Sequence, residues 1–193
     1  MPEYREYLSV DEVAKDYAIR RHAEVNHRYD AIHTYAFHLT MVVDIAKIFI
    51  RLIPEKDRAD VYGGCWVHDI IEDARETFAN VKRATNDVIA EYAFRCTNEK
   101  GRTRKERANK KYYAGIKEYK HTTFIKLCDR IANVTFARQN GSSMLEMYRN
   151  EHANFKVCLY DGRFEEMWQY LENLFDVNYN LDEIFKSLEN GKL

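Results

Sequence analysis

The sequence predicts an all-α protein, a compact multi-helix bundle, and three observations carry that expectation. The chain has 193 residues but only 7 glycines and 2 prolines, too few turn-formers for a sandwich or a barrel. Apolar residues recur at spacings of three and four rather than alternating, which is the period of a helix with one buried face. Short polar stretches, 98–101 and Asn140-Gly141, punctuate the long periodic ones and read as loops. The length fits one domain with a core over about residues 10–175, and no internal repeat, low-complexity tract or linker divides it.

Taken in order, Ser9 followed by Glu12 is the pattern of a capping box and opens a first helix running to about residue 26. A second helix is expected over 34–52, with Leu39, Val42, Val43, Ala46 and Ile50 on one face; Pro54 stops it, because the residue before a proline avoids helical geometry. A third is expected over 57–71, carrying Val61, Cys65, Val67 and Ile70. Gly63-Gly64 inside it marks either a kink or a close approach of the backbone to a ligand or another helix, since each glycine costs about 1 kcal/mol in a helix interior. Further helices are expected over 81–96, 104–119, 122–138, 142–160, 164–175 and 181–189.

Composition narrows the function. A 46% hydrophobic content excludes wholesale disorder, and a formal net charge of -1 gives no overall field to draw in nucleic acid or an anionic membrane. Cys65, Cys96, Cys128 and Cys158 form no CxxC pair, which suits reduced, buried thiols better than a disulfide framework. The first twelve residues have no apolar run of the sort a secretory leader needs, and Asp44, Lys47 and Arg51 break up the most apolar stretch. A cytoplasmic protein without membrane contact is the expectation. Segment 100–111 holds seven basic residues against one acidic, without interleaved aromatics; it reads as a solvated face that could steer a polyphosphate rather than a nucleic-acid patch.

The chemistry concentrates in three places. His68 and Asp69 stand next to Glu72 and Asp73 at the end of an apolar helix, where spacings of three and four place groups on a shared face. An adjacent imidazole and carboxylate either hydrogen-bond their neighbours or, if the backbone bends, hold one divalent cation. His38 falls among Phe37, Leu39 and Val42, as a core histidine or as a ligand. Asp129 and Asn133 interrupt one face of the apolar stretch from Ile125 to Val134, and a buried carboxylate there requires a cation, a side chain or a metal. Arg130 is expected to point elsewhere on that helix. Together His38, His68, Asp69 and Asp129 offer two nitrogens and two carboxylates, a set suited to manganese, iron or zinc. His22, His27, His33 and His121 show no metal spacing. No Gly-rich phosphate loop, GxSxG elbow or zinc knuckle is present, and Cys65 and Cys128 read as small core residues.

His38, His68-Asp69 and Asp129 stand in the order H…HD…D, and in this the sequence resembles the HD-domain metal-dependent phosphohydrolases. His68-Asp69-Ile70-Ile71-Glu72-Asp73 is similar to the HDxxED of the Rel/SpoT-type guanosine tetraphosphate hydrolases, whose small stand-alone animal homologue dephosphorylates NADPH. Leu127 to Val134 looks like that family's L-A-D-R-L-x-N motif. The resemblance implies one manganese ion (with Fe2+, Zn2+ or Co2+ as alternatives) on His38, His68, Asp69 and Asp129, with Glu72 and Asp73 handling water and leaving-group protons. It also implies substrate contacts at Arg28, Asn133, Tyr148 and His152, although His152 stands where tyrosine is common. The implied partner is a small-molecule nucleotide, and the oligomeric state, homo-oligomers included, stays open. A nucleoside 5′-monophosphatase fits Glu72 equally, with Asp73 favouring the Rel-like branch; a nucleotide-binding regulator without turnover is the reading of another class.

Overall fold

The computed structural model describes residues 8–176 and 178–180, and over these the fold is all-α, as predicted. The first helix, α1 (Val10–Glu24), begins where Glu12 accepts hydrogen bonds from the backbone N–H and the hydroxyl of Ser9, both at 2.8 Å. The second, α2 (Tyr35–Phe49), relaxes into a short 3-10 turn at Ile50–Leu52 ahead of Pro54. Then come α3 (Arg58–Val67), α4 (Ile70–Asp73), α5 (Phe78–Ala84), α6 (Asp87–Cys96), α7 (Arg104–Arg107), α8 (Lys110–Glu118), α9 (Thr122–Gln139), α10 (Met144–Leu159) and α11 (Glu165–Phe175). The helix expected over 181–189 lies outside the described residues.

Three of the expected helices are each two. The stretch 57–71 breaks at Asp69, whose backbone leaves helical geometry (φ -107, ψ 2) between α3 and α4. The stretch 81–96 divides because the Asn86 side chain accepts from the N–H of Ile89 at 2.9 Å and starts α6 afresh. Asn109 does the same for α8 by accepting from the N–H groups of Lys111 and Tyr112. An asparagine carbonyl that satisfies the open N–H groups of a new first turn competes well with continuing the old helix.

Helix α9 runs through the middle of the bundle and packs against α2, α3, α6, α8, α10 and α11. Its Phe124, Ile125, Leu127, Ile131 and Val134 are fully buried, beside Phe49 of α2 and Trp168 and Tyr170 of α11. The two glycines of α3 resolve as a close approach, not a kink. A Cβ on Gly63 would stand 2.4 Å from Ile89 Cδ1 of α6, and one on Gly64 would stand 2.7 Å from the Tyr92 ring of α6 and 2.6 Å from Ile125 Cδ1 of α9. Helix α3 is thereby drawn against α6 and α9, which brings its C-terminal end, His68, up to Asp129. All four cysteines are free, three of them buried. Among the described residues, no helix is long and apolar enough to cross a membrane.

Candidate metal centre

His38 comes from the first turns of α2, His68 from the residue that caps the C-terminus of α3, Asp69 from the break after it, and Asp129 from the middle of α9. One ligand atom from each lies within 4.8 Å of all the others. The Nε2 atoms of His38 and His68 are 3.3 Å apart; His68 Nε2 is 3.0 Å from Asp69 Oδ2, and His38 Nε2 is 3.4 Å from Asp129 Oδ1. Neighbouring donors around an ion with bonds of about 2.1 Å stand roughly 3.0 to 3.4 Å apart, so the set fits a divalent cation. The bend at Asp69 is what makes this work: on a continuous helix, adjacent side chains diverge by about 100° and would not share one ion.

The imidazole of His68 is fixed from behind, where Nδ1 lies 2.8 Å from the backbone oxygen of Cys65. A carbonyl can only accept, so Nδ1 carries a proton and Nε2 is the nitrogen that faces the cluster. Burial alone would push Asp129 up, but Lys126, whose Nζ is 2.8 Å away, and the two imidazoles hold it well below the usual carboxylate range. Lys126 is the side-chain cation that this buried carboxylate requires. It was legible as a lysine one turn before Asp129, a spacing that puts the two on one face. With two nitrogens and two anionic oxygens, the donors suit manganese, iron or zinc and do not choose among them.

His38, Asp69 and Asp129 of the cluster line a cavity of about 270 Å³ together with Glu72, Asp73, Asn133 and Tyr148; with His68, which is fully buried beside these ligands, eight of the ten residues singled out in the sequence gather at one place. Glu72 is held by the N–H (3.1 Å) and side-chain amide (3.0 Å) of Asn98. Asp73 is pushed up to about 7 by burial first and then by the carboxylates of Asp69 and Glu72. Asn133 donates to Asp129 Oδ1 at 2.6 Å and accepts from the Tyr29 hydroxyl at 2.9 Å. The other two do not line the cavity. Arg28 turns onto its own loop and donates to the carbonyls of Asp30, Ala31 and Ile32, where the bend before α2 leaves them without helical partners. His152 faces Glu172 at 3.5 Å and packs beside Trp168 and Phe175, because its helical position points to α11 rather than inward.

Further lining residues are ones the sequence reading did not single out as contacts. Arg104 and Arg107 of the basic segment reach the cavity, and Arg130, expected to point away, lies over the rings of Tyr148 and Phe155 at 4.8 and 4.5 Å. Glu151 ties Arg104 and Arg130 together. Lys126 makes the fourth cation of the same wall. A second, more apolar cleft of about 220 Å³ adjoins the cavity and shares Asn133 and Tyr148 with it; Tyr29, Phe136 and Met144 also line it. Tyr29 of that cleft lies parallel to the His38 ring at 5.0 Å.

Compared with known proteins, the chain matches no family model and no curated protein.

Proposed function

We propose that this chain is a metal-dependent phosphohydrolase of the HD-domain type, acting in the cytoplasm on a phosphate or pyrophosphate ester of a nucleotide, guanosine tetraphosphate or NADPH foremost. The observation that carries the reading is the cavity itself. Three of the four clustered metal-ligating groups, three further carboxylates and four cationic side chains line a single space, which is the charge arrangement that phosphoryl transfer needs. The adjoining aromatic cleft supports a substrate that carries a flat ring.

A bound divalent ion, manganese first among the candidates, would neutralise a phosphoryl oxygen and make water more acidic. Glu72, steadied by Asn98, is placed to orient water and accept its proton as oxygen attacks phosphorus. As the phosphorus–oxygen ester bond breaks, the departing oxygen needs a proton, and Asp73 holds one near neutral pH because burial and its carboxylate neighbours resist its ionisation. Lys126, Arg104, Arg107 and Arg130 offset the remaining phosphoryl charge. Tyr29, Phe136 and Tyr148 offer rings to the base, and Asn133 links that cleft to Asp129.

The test is release of phosphate and pyrophosphate from guanosine tetraphosphate, NADPH and deoxynucleoside monophosphates, with manganese added back after chelation. Turnover of either of the first two is expected. Asp129→Ala should lose both turnover and manganese binding, whereas Glu72→Ala should bind manganese normally and turn over about 10²- to 10⁴-fold more slowly. Turnover of monophosphates alone would move the protein to the nucleoside 5′-monophosphatases. Nucleotide binding without any release in saturating manganese would leave a non-catalytic regulator.

A further inference from the structure

We propose that Tyr35 is the positioning residue of the metal ligand Asp69, and that His22 and His27 clamp its ring in place. The proposal rests on the metal-centre reading above and concerns how that centre is held, not what it hydrolyses.

Asp69 is the ligand with the least support from secondary structure. It stands in the break between α3 and α4, so no helix fixes the direction of its side chain. The Tyr35 hydroxyl supplies that direction by donating to Asp69 Oδ2. The other polar neighbours of that oxygen are the two ligand imidazoles, His68 at 3.0 Å and His38 at 3.8 Å. Tyr35 opens α2 one turn before His38, so a single helix delivers one ligand and the group that aims another. Two of the remaining ligands have counterparts, the Cys65 carbonyl behind His68 and Lys126 and Asn133 beside Asp129, whereas His38 Nδ1 has no hydrogen-bond partner among the described residues. Groups of this kind, which touch a ligand rather than the ion, set ligand orientation and metal affinity.

A phenol aims its hydroxyl only if its ring is held. The Tyr35 ring stacks on His27 with centroids 3.9 Å apart and on His22 at 4.5 Å, with interplanar angles of 20° and 28°. The two imidazoles are joined to each other, Nδ1 to Nδ1, at 2.9 Å. One of those nitrogens donates and the other accepts, so the pair shares one proton there and locks both rings. The backbone arranges the meeting: Asn26 adopts a left-handed conformation (φ 53), and the His27 N–H bonds the His22 carbonyl at 2.9 Å, folding His27 back beside His22. His22 is almost completely buried, and its Nε2 has no hydrogen-bond partner among the described residues. A buried ring that gives up a hydrogen bond at one nitrogen is retained here for its stack and its Nδ1 contact.

The experiment is manganese titration of the full chain by calorimetry after chelation, with the metal's electron paramagnetic resonance line shape as a second readout. Tyr35→Phe keeps the stacked ring and removes only the hydroxyl. It should bind manganese ten- to a hundredfold more weakly and alter the line shape, while its metal-free melting temperature stays at the wild-type value. A merely structural tyrosine would do the reverse, lowering the melting temperature and sparing the affinity. His27→Leu keeps the hydroxyl and loosens the ring; it should weaken binding at least threefold, and it decides the matter if Tyr35→Phe does not fold. Manganese binding within twofold of wild type in the folded variants overturns the proposal while leaving the metal centre intact. A wild-type chain that binds no manganese overturns the metal centre, and this proposal with it.

Discussion

Lys126 and Asp129 lie one turn apart on α9 and form a buried ion pair at 2.8 Å through Oδ2, while Oδ1 of the same carboxylate faces His38 Nε2 at 3.4 Å. One aspartate thus divides its two oxygens between a permanent cation and the metal cluster. Lys126→Met leaves that buried carboxylate without its permanent partner, which should destabilise the metal-free chain by about 3 kcal/mol. Manganese would then replace the missing charge, so it should raise the melting temperature of the variant more than that of the wild type. Equal shifts in the two proteins would show that the lysine and the ion do not act on the same carboxylate.

Burial, the largest influence, holds His22 down at about 3, against 6.5 for an ordinary histidine. Below pH 6.5 the unfolded chain therefore takes up a proton that the folded chain refuses, and stability falls as pH drops from 6.5 towards 3. Between pH 7.5 and 5 this one ring should account for about 2 kcal/mol of lost stability. Urea unfolding of the metal-free chain at both values checks it: His22→Gln should shrink the difference between them by that amount, and an unchanged difference would refute the assignment.

Gly64 and Gly63 should respond unequally to alanine. At Gly64 the new methyl meets the Tyr92 ring, fixed in the core; at Gly63 it meets Ile89 Cδ1, the end of a side chain that can rotate away. Gly64→Ala is expected to lose about 1 to 3 kcal/mol through overpacking, a fall of several degrees in melting temperature, and Gly63→Ala less. The reverse order in a thermal melt would mean that α3 and α6 can slide apart.

Phe136→Ala opens the aromatic cleft without touching the metal cavity's carboxylates. Loss of one stacking surface corresponds to about 1 to 3 kcal/mol of base binding. KM for a nucleotide substrate should rise about tenfold with kcat little changed, while inhibition by inorganic pyrophosphate, which has no ring, stays as in the wild type. Equal weakening of both ligands would place the base elsewhere.

What could be read from the sequence follows from what local spacing encodes. The all-α class and the long helices were legible because their apolar period is unbroken. The breaks at Asn86 and Asn109 were not, since the same period runs on across them and only the asparagine cap tells a new helix from a continued one. The grouping of His38, His68, Asp69 and Asp129 was readable because a charged group on an apolar helical face is a local anomaly, as with Asp129. Arg28 and His152 looked equally suited to substrate. Their directions are decided by a loop that claims the guanidinium and by the packing of α10 on α11, and neither is written in the residues next to them. Arg130 fails in the opposite sense: its neighbour Asp129 faces the cluster, yet a long side chain folded back over Tyr148 still reaches the cavity.

The ligand groups stand at positions 38, 68, 69 and 129, so 90 residues lie between the first and the last. No fragment of the chain brings them together on its own; the centre comes into being only when α2, α3 and α9 have found one another. An ion that recognises all four groups therefore recognises the finished tertiary structure and has little hold on the unfolded chain. Loading is then a late event in folding, and its free energy adds directly to stability according to the free ion concentration. Across a culture starved or replete in that metal, the lifetime of this protein against proteolysis would report the availability of the ion.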